Sequence, residues 1–338
     1  MSTHSPRSGN RTLLFGITTL LFWASMYTYS PILAAYVKSL GAGNGLAGLI
    51  LGSYGFTQML LRIPLGIASD RLRRRKLFII FGLFFSFFSS TGLLVFQNLT
   101  FILIFRSLAG AAAATWVDFT VLYTSYFRPG ESVRAIGQLN FYNNFGQTAA
   151  LFFGGMAADR FGWSSSFGMG IGLAVAGILL SLFIREKPAG DREAPTLRDF
   201  TAVATDRNLL AVSLLGVLSQ SFTFATVFGF TPVYAESSLH AGKLGMSLLT
   251  LCASLPSAFA GLAAGSRLAP RFGERRVVMA GFAVGGLFTV TIPFTHSFGL
   301  LVLTQILAGI GRGFSFPLLM GLSIRDIALE RRSTAMGI

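Results

Sequence analysis

Charge is scarce in this chain: Asp, Glu, Lys and Arg make up only 12% of its 338 residues, about half the share of a soluble domain. With 52% of residues hydrophobic, too little polar surface remains to cover a core in water, which excludes an ordinary soluble globule. Cysteine is almost missing. Cys252 stands alone, so neither an internal disulfide nor a thiolate metal cage can form. The three histidines, His4, His240 and His296, are scattered, and no metal or cofactor site can be read from them. Acids are rarer than bases, 13 against 27, giving a formal charge of +14. In water that excess would suggest a nucleic-acid partner. Here the bases lie between apolar runs, so they report topology in a lipid bilayer, and no nucleic acid is expected.

What the chain has is long apolar runs. A bilayer core of about 30 Å needs about 20 residues per helix. Ten stretches qualify: 13–37, 46–69, 77–96, 99–123, 135–158, 166–184, 209–235, 244–268, 277–295 and 298–324. The first is too long for a secretory signal, and no small-residue cleavage site follows it. With the amino terminus in the cytoplasm, the inside loops hold Arg7 and Arg11, then Arg71, Arg73, Arg74, Arg75 and Lys76, then Arg128 and Arg134. Further on they hold Arg185, Lys187, Arg192, Arg198 and Arg207, then Arg267, Arg271, Arg275 and Arg276, and finally Arg325, Arg331 and Arg332. Outside loops hold only Lys38, Arg160 and Lys243. This asymmetry sets a multi-pass orientation in the plasma membrane with a cytoplasmic amino terminus.

Residues 1–12 read as a cytoplasmic tail, 13–184 as a six-helix bundle, 185–208 as a charged cytoplasmic linker, and 209–338 as a second bundle. The halves repeat at an offset of about 200 residues, as parallel repeats do in one class of transporter. Ser30-Pro31 matches Thr231-Pro232, Arg71 matches Arg271, and Arg106-Ser-Leu-Ala-Gly110 matches Gln305-Ile-Leu-Ala-Gly309. Glu131 to Gly137 likewise matches Glu330 to Gly337. The first half continues for two more spans past Gly137, so an eleventh and a twelfth span are expected beyond Ile338, the second bundle here being cut to four helices.

These residues resemble the major facilitator superfamily across nearly the whole chain. The family signature between spans two and three is similar to Gly66-Ile-Ala-Ser-Asp70-Arg71-Leu-Arg73-Arg74-Arg75, with Arg73 in place of the usual glycine. A weaker copy runs from Gly265 through Arg271 and Gly273 to Arg276. The fourth-span signature, Arg followed four residues later by Gly, resembles Arg106 and Gly110. A fifth-span antiporter signature is half present as Gly146, Ala150, Gly154 and Gly155. The resemblance implies an all-α fold of two pseudo-symmetric six-helix bundles, closest in pattern to bacterial drug/proton antiporters. It also implies a cytoplasmic gate formed by Gly66, Asp70, Arg71, Arg74, Arg75 and Arg271. The alternative for the basic loop is a topogenic cluster touching anionic lipid.

Charges inside spans each cost at least about 2.5 kcal/mol at mid-membrane on insertion scales. Arg106, Asp118 and Arg312 lie well inside, while Arg62 is near a span end and can snorkel. Arg106, Gly110, Ala114 and Asp118 follow an i, i+4 ridge of one helix. At 1.5 Å per residue the two charges are about 18 Å apart, so each needs another partner. For Asp118 the fifth span offers amides at i, i+3, i+4 and i+7, namely Asn140, Asn143, Asn144 and Gln147. Asp118 is either a proton carrier with Arg106 as its electrostatic partner or a hydrogen-bonded structural acid. Arg312 would either receive an anionic solute or pair with an acid elsewhere. Trp23 and Tyr27 on the first span, with Gln220 and Thr223 on the seventh, suit a cavity for a small organic solute. Interhelical hydrogen bonding is the plainer use of such groups.

The expected function is secondary active transport by alternating access, by a monomer and without cofactor, as proton-coupled efflux of a drug-like or amphipathic compound. A symporter or uniporter for a sugar or other metabolite stays open. An embedded enzyme is disfavoured, because no Ser/His/Asp, Cys/His or metal constellation is present. A receptor would not need the six-span duplication.

Overall fold

The computed structural model describes residues 6–127, 132–186, 205 and 207–325, with no strand among them. Most of the linker at 185–208, Arg128 and Glu131 of the fourth-to-fifth loop, and the segment Glu330 to Gly337 lie outside the described residues.

The chain forms two compact units, Met1–Arg192 and Glu193–Ile338. In the first, α1 (Pro6–Tyr27) and α2 (Leu33–Ser39) make the first span, and α3 (Asn44–Leu72) and α4 (Arg75–Val95) the next two. The fourth span is α5 (Leu99–Ala114) with α6 (Trp116–Thr124), followed by α7 (Ser132–Phe161) and α8 (Trp163–Leu182). In the second unit α9 (Arg207–Thr223) passes through a wide turn, Phe224–Phe230, into α10 (Thr231–Leu239). Then come α11 (Lys243–Ala263), a second wide segment, Ala264–Leu268, α12 (Ala269–Phe272), α13 (Glu274–Val290) and α14 (Phe298–Arg325). Eight of these helical runs are long and apolar enough to cross a membrane. The runs at Pro6–Tyr27 and Ser132–Phe161 are not among the eight. Hydroxyls and amides dilute their apolar content.

Two spans expected to be continuous are broken. The first is interrupted at 28–32, around Pro31, whose ring clashes with the carbonyl of the preceding turn. The fourth is interrupted at Thr115, whose hydroxyl donates to the Ala112 carbonyl at 2.7 Å. Such local bonding competes with the helical ladder and bends it. In the second unit both wide segments run into a proline, Pro232 and Pro270. A proline donates no hydrogen bond, and a local π-turn absorbs the mismatch.

Small residues set the packing, as expected where lipid gives helices no hydrophobic reason to associate. A Cβ on Gly110 of α5 would strike the Tyr54 carbonyl of α3, and one on Gly309 of α14 would strike the Ala253 carbonyl of α11. The two pairs are equivalent in the sequence repeat, so the same backbone contact is built twice. Helix α1 is held in the same way: a Cβ on Gly154 of α7 would meet the Thr28 carbonyl, and one on Gly170 of α8 the Ser25 carbonyl. Ser25 also shares a hydrogen bond with Ser86 of α4.

Candidate functional site in the first unit

The turn between α3 and α4 is tight. Arg73 closes α3 with φ of 51°, the left-handed region, whereas Gly273 holds the matching place in the second unit with φ of 86°. Left-handed backbone costs a residue with a Cβ about 1–2 kcal/mol. The following helix begins without a cap of its own: Arg74 makes no side-chain capping bond, and the first turn of α4 contains no acid. Acids come from elsewhere. The Glu186 carboxylate, just past α8, accepts from the Arg75 N–H and, at 3.3 Å, from the Lys76 N–H. Asp70 of α3 pairs with the Arg75 guanidinium, and Asp118 of α6 stands 3.5 Å from it. Three carboxylates thus surround one helix N-terminus, where the exposed N–H groups and the helix dipole favour negative charge.

Two further bonds fasten this corner. Lys76 Nζ donates to the Leu182 carbonyl at 2.7 Å, and Tyr126 Oη donates to the Arg185 carbonyl at 2.6 Å. Burial pushes the Tyr126 phenol up to about 12, so it remains a donor at neutral pH.

Asp118 is fully buried. Its Oδ1 faces Arg75, and its Oδ2 has no hydrogen-bond partner among the described residues. The Ser69 hydroxyl is beside it, but its single proton goes to the Gly66 carbonyl at 3.0 Å. The partner is therefore not the amide face of α7. There Gln147 donates to Asn143, and Asn140 and Asn144 are exposed. Asp118 stands three residues past the break at Thr115 and faces Arg75 at the α3–α4 corner, a partner that counting residues from the loop could not supply.

Arg106 is also buried, 4% exposed, on the other side of that break. Its guanidinium lies over the Tyr54 ring, 4.6 Å from the centroid, and over the Tyr29 ring, 5.8 Å from the centroid. Such contacts attract a cation to the ring face but satisfy no N–H. Nε and Nη1 of Arg106 have no hydrogen-bond partner among the described residues, and neither has Nε of Arg62. Trp23 packs between Tyr27 and Trp116, with ring centroids 6.1 and 5.3 Å away. Its Nε1 also lacks a partner among the described residues.

The remaining residues of interest are spread out. Gly66 has open space where a Cβ would stand, and Arg71 and Arg74 are exposed. Arg271 lies over the Phe272 ring at 5.3 Å. In the second unit Gln220 is exposed, and Thr223 donates back to the Ser219 carbonyl at 2.9 Å. Arg312 has a buried Nη2 without a partner among the described residues. Sequence reasoning overlooked Glu186, Tyr54 and Gln305. Gln305 occupies the repeat position of Arg106, is 1% exposed, and has an Nε2 with no partner among the described residues. The signal for Gln305 was present in the repeat; for Glu186 nothing but its charge marked it.

Comparison with known proteins sets this geometry in context. The family model described as Major Facilitator Superfamily matches residues 15–338. An MFS-type transporter of Methanocaldococcus jannaschii is 26% identical over 336 residues, covering 95% of this chain and 84% of that protein. A transporter of Buchnera aphidicola is 30% identical over 174 residues, but the match covers 51% of this chain and only 44% of that relative's length. Among solved structures, a bacterial homologue of the human lysosomal transporter Spinster, inward-facing and unoccupied, superposes with a TM-score of 0.74 at 16% identity, covering 98% of this chain and 78% of that one.

Proposed function

Because the chain belongs to the Major Facilitator Superfamily it is a membrane transporter, and we propose that it moves a small organic solute by alternating access, coupled to protons, in the direction of efflux. It acts as a monomer in the plasma membrane with its amino terminus in the cytoplasm, using residues 13–184 and 209–338 as its two bundles and 185–208 as the link between them. No cofactor enters this scheme.

The observation that carries the coupling is the state of Asp118: buried, one oxygen on Arg75 and the other without a partner among the described residues. An acid held this way has a place for one proton. Arg75 is shared with Asp70, so adding a proton to Asp118 would release Arg75 toward Asp70 and loosen the hold of α6 on the α3–α4 corner. Gly66, Arg71 and Arg74 belong to the same proposed cytoplasmic gate, and Arg271 is the gate candidate in the matching loop of the second unit. In the first unit the solute would lie against Trp23 and Tyr27, with Asn143, Asn144 and Gln147 as further lining and Arg106 stabilising the charged state of the site; Gln220, Thr223 and Arg312 are the second unit's own candidates.

The test uses proteoliposomes loaded with a pH-sensitive dye and exposed to a panel of organic anions and cations, with protein-free vesicles as control. At least one solute should evoke proton movement through the wild-type protein. In Asp118→Asn that proton movement should vanish while solute exchange without a gradient survives. Undiminished proton movement in the variant would remove the coupling role.

A further inference from the structure

Within the first unit, two cationic side chains hold buried nitrogens that no acid pairs with among the described residues. Arg106 is 4% exposed, and two of its nitrogens, Nε and Nη1, have no hydrogen-bond partner among the described residues. Tyr54, over whose ring it lies, is also within electrostatic reach of Arg62, whose buried Nε is similarly unpartnered. Asp70 and Asp118 are both paired with Arg75 instead. Among the described residues no ion pair reaches Arg62 or Arg106.

We infer that Arg106, flanked by the rings of Tyr54 and Tyr29 and reinforced by Arg62, is the anchor for the carboxylate of an organic acid, so that this protein's solute is an organic anion. The inference rests on the transporter reading, since it names the solute class of the same site. A buried guanidinium with free N–H groups is the costliest kind of unsatisfied donor, and a carboxylate satisfies both its charge and its directionality. The aromatic rings attract the cation without accepting from its N–H groups, which stay available to a carboxylate. Tyr54 is itself placed by the helix contact at Gly110, one turn beyond Arg106, where a Cβ would strike the Tyr54 carbonyl. The tyrosines and Trp23 provide apolar, stackable walls for the body of the acid. A cationic solute at Arg106 would meet a buried guanidinium that pairs with no acid among the described residues.

The second unit serves as an internal control. At the repeat position of Arg106 it carries Gln305, equally buried and with its own unpartnered Nε2. The position is a donor in both copies, but only in the first is it charged.

The purified full chain in detergent can be titrated with benzoate, phenylacetate and 3-phenylpropionate, with their neutral amides, and with benzyltrimethylammonium, following tryptophan fluorescence and thermal midpoint. The acids should bind at least tenfold more tightly than the amides, and the ammonium ion should not bind. Arg106→Gln should erase the preference for acid over amide. Arg62→Gln should weaken acid binding several-fold. Arg106→Lys keeps the charge but loses the planar donor set, so it should retain the preference with weaker binding, and it reports even if Arg106→Gln does not fold. Equal binding of acids and amides, no binding of any acid to the wild type, or an intact preference in Arg106→Gln would each overturn the inference. Failure of the transporter reading would look different: acid-selective binding would persist, with no solute-evoked proton movement in proteoliposomes.

Discussion

Arg75 Nη1 lies 3.5 Å from Asp118 Oδ1, across the corner where α4 begins beside α6. The acid is fully buried and the guanidinium half-buried, so the pair is of unequal value to its two members. Removing Arg75 leaves a buried carboxylate uncompensated, which should cost about 3–5 kcal/mol. Adding Asp118→Asn to Arg75→Gln should restore part of that loss, giving a coupling energy of about 1–3 kcal/mol in the double-mutant cycle. Unfolding of the four proteins in detergent measures it. Strict additivity would mean that the pair does not hold the corner together.

Gly110 and Gly309 should be intolerant of even one methyl group. Ala at either position drives a Cβ into a backbone carbonyl of the neighbouring helix, at an expected cost of about 1–3 kcal/mol. Gly66 is the control: a Cβ there has nothing within 4 Å among the described residues. Gly66→Ala should leave stability unchanged or raise it by up to about 1 kcal/mol through the lost flexibility of glycine. Thermal midpoints of the three variants check this, and a loss of transport in Gly66→Ala at undiminished stability would reveal a contact made in another state.

The helical runs were legible because lipid leaves little but hydropathy and length to satisfy, though eight of the described runs, not ten, meet both. The repeat also paired Arg106-to-Gly110 with Gln305-to-Gly309, and both glycines stand against a neighbouring carbonyl. The environment of Asp118 was not legible. Depth counted from a loop assumes a straight helix, whereas this one is interrupted at Thr115, and Asp118 faces Arg75 and not the α7 amides. The hydroxyls and amides of the seventh span and α7 stand on helix faces as the periodicity expected. Thr223 nevertheless bonds its own backbone, and Gln147 bonds Asn143 in its own helix. Periodicity gives a face, not a partner.

Glu186 should matter more than a linker residue ordinarily does. Glu186→Ala removes the acceptor for the Arg75 and Lys76 N–H groups, at an expected cost of about 1–2 kcal/mol. Tyr126→Phe, which removes the donor to the Arg185 carbonyl, should cost about 1 kcal/mol. The Tyr126 phenol is raised from 10.0 to about 12, so its protonated form is the one the fold prefers. Its contribution is therefore complete below pH 10 and is lost as the pH rises through about 12. Thermal midpoints between pH 6 and pH 9 should show no Tyr126-dependent slope, and a difference between wild type and Tyr126→Phe that varies across that range would contradict the assignment.

Arg73→Gly should relieve the left-handed strain at the end of α3 and stabilise the first unit by about 1 kcal/mol. The reverse exchange in the second unit, Gly273→Arg, should destabilise by about 1–3 kcal/mol, because φ of 86° with ψ of 141° lies near a region that only glycine adopts readily. Melting curves of both variants decide the matter, and matching signs would show that side-chain contacts outweigh backbone geometry at these turns.

The repeat preserves how helices touch but not what they carry. Where the first unit has Asp70 and Asp118, the second has Pro270 and Pro317. One copy has ionisable groups at positions where its twin has rigid imino rings. Added salt should therefore weaken the Arg75 corner of the first unit, for which the matching positions of the second hold no carboxylate.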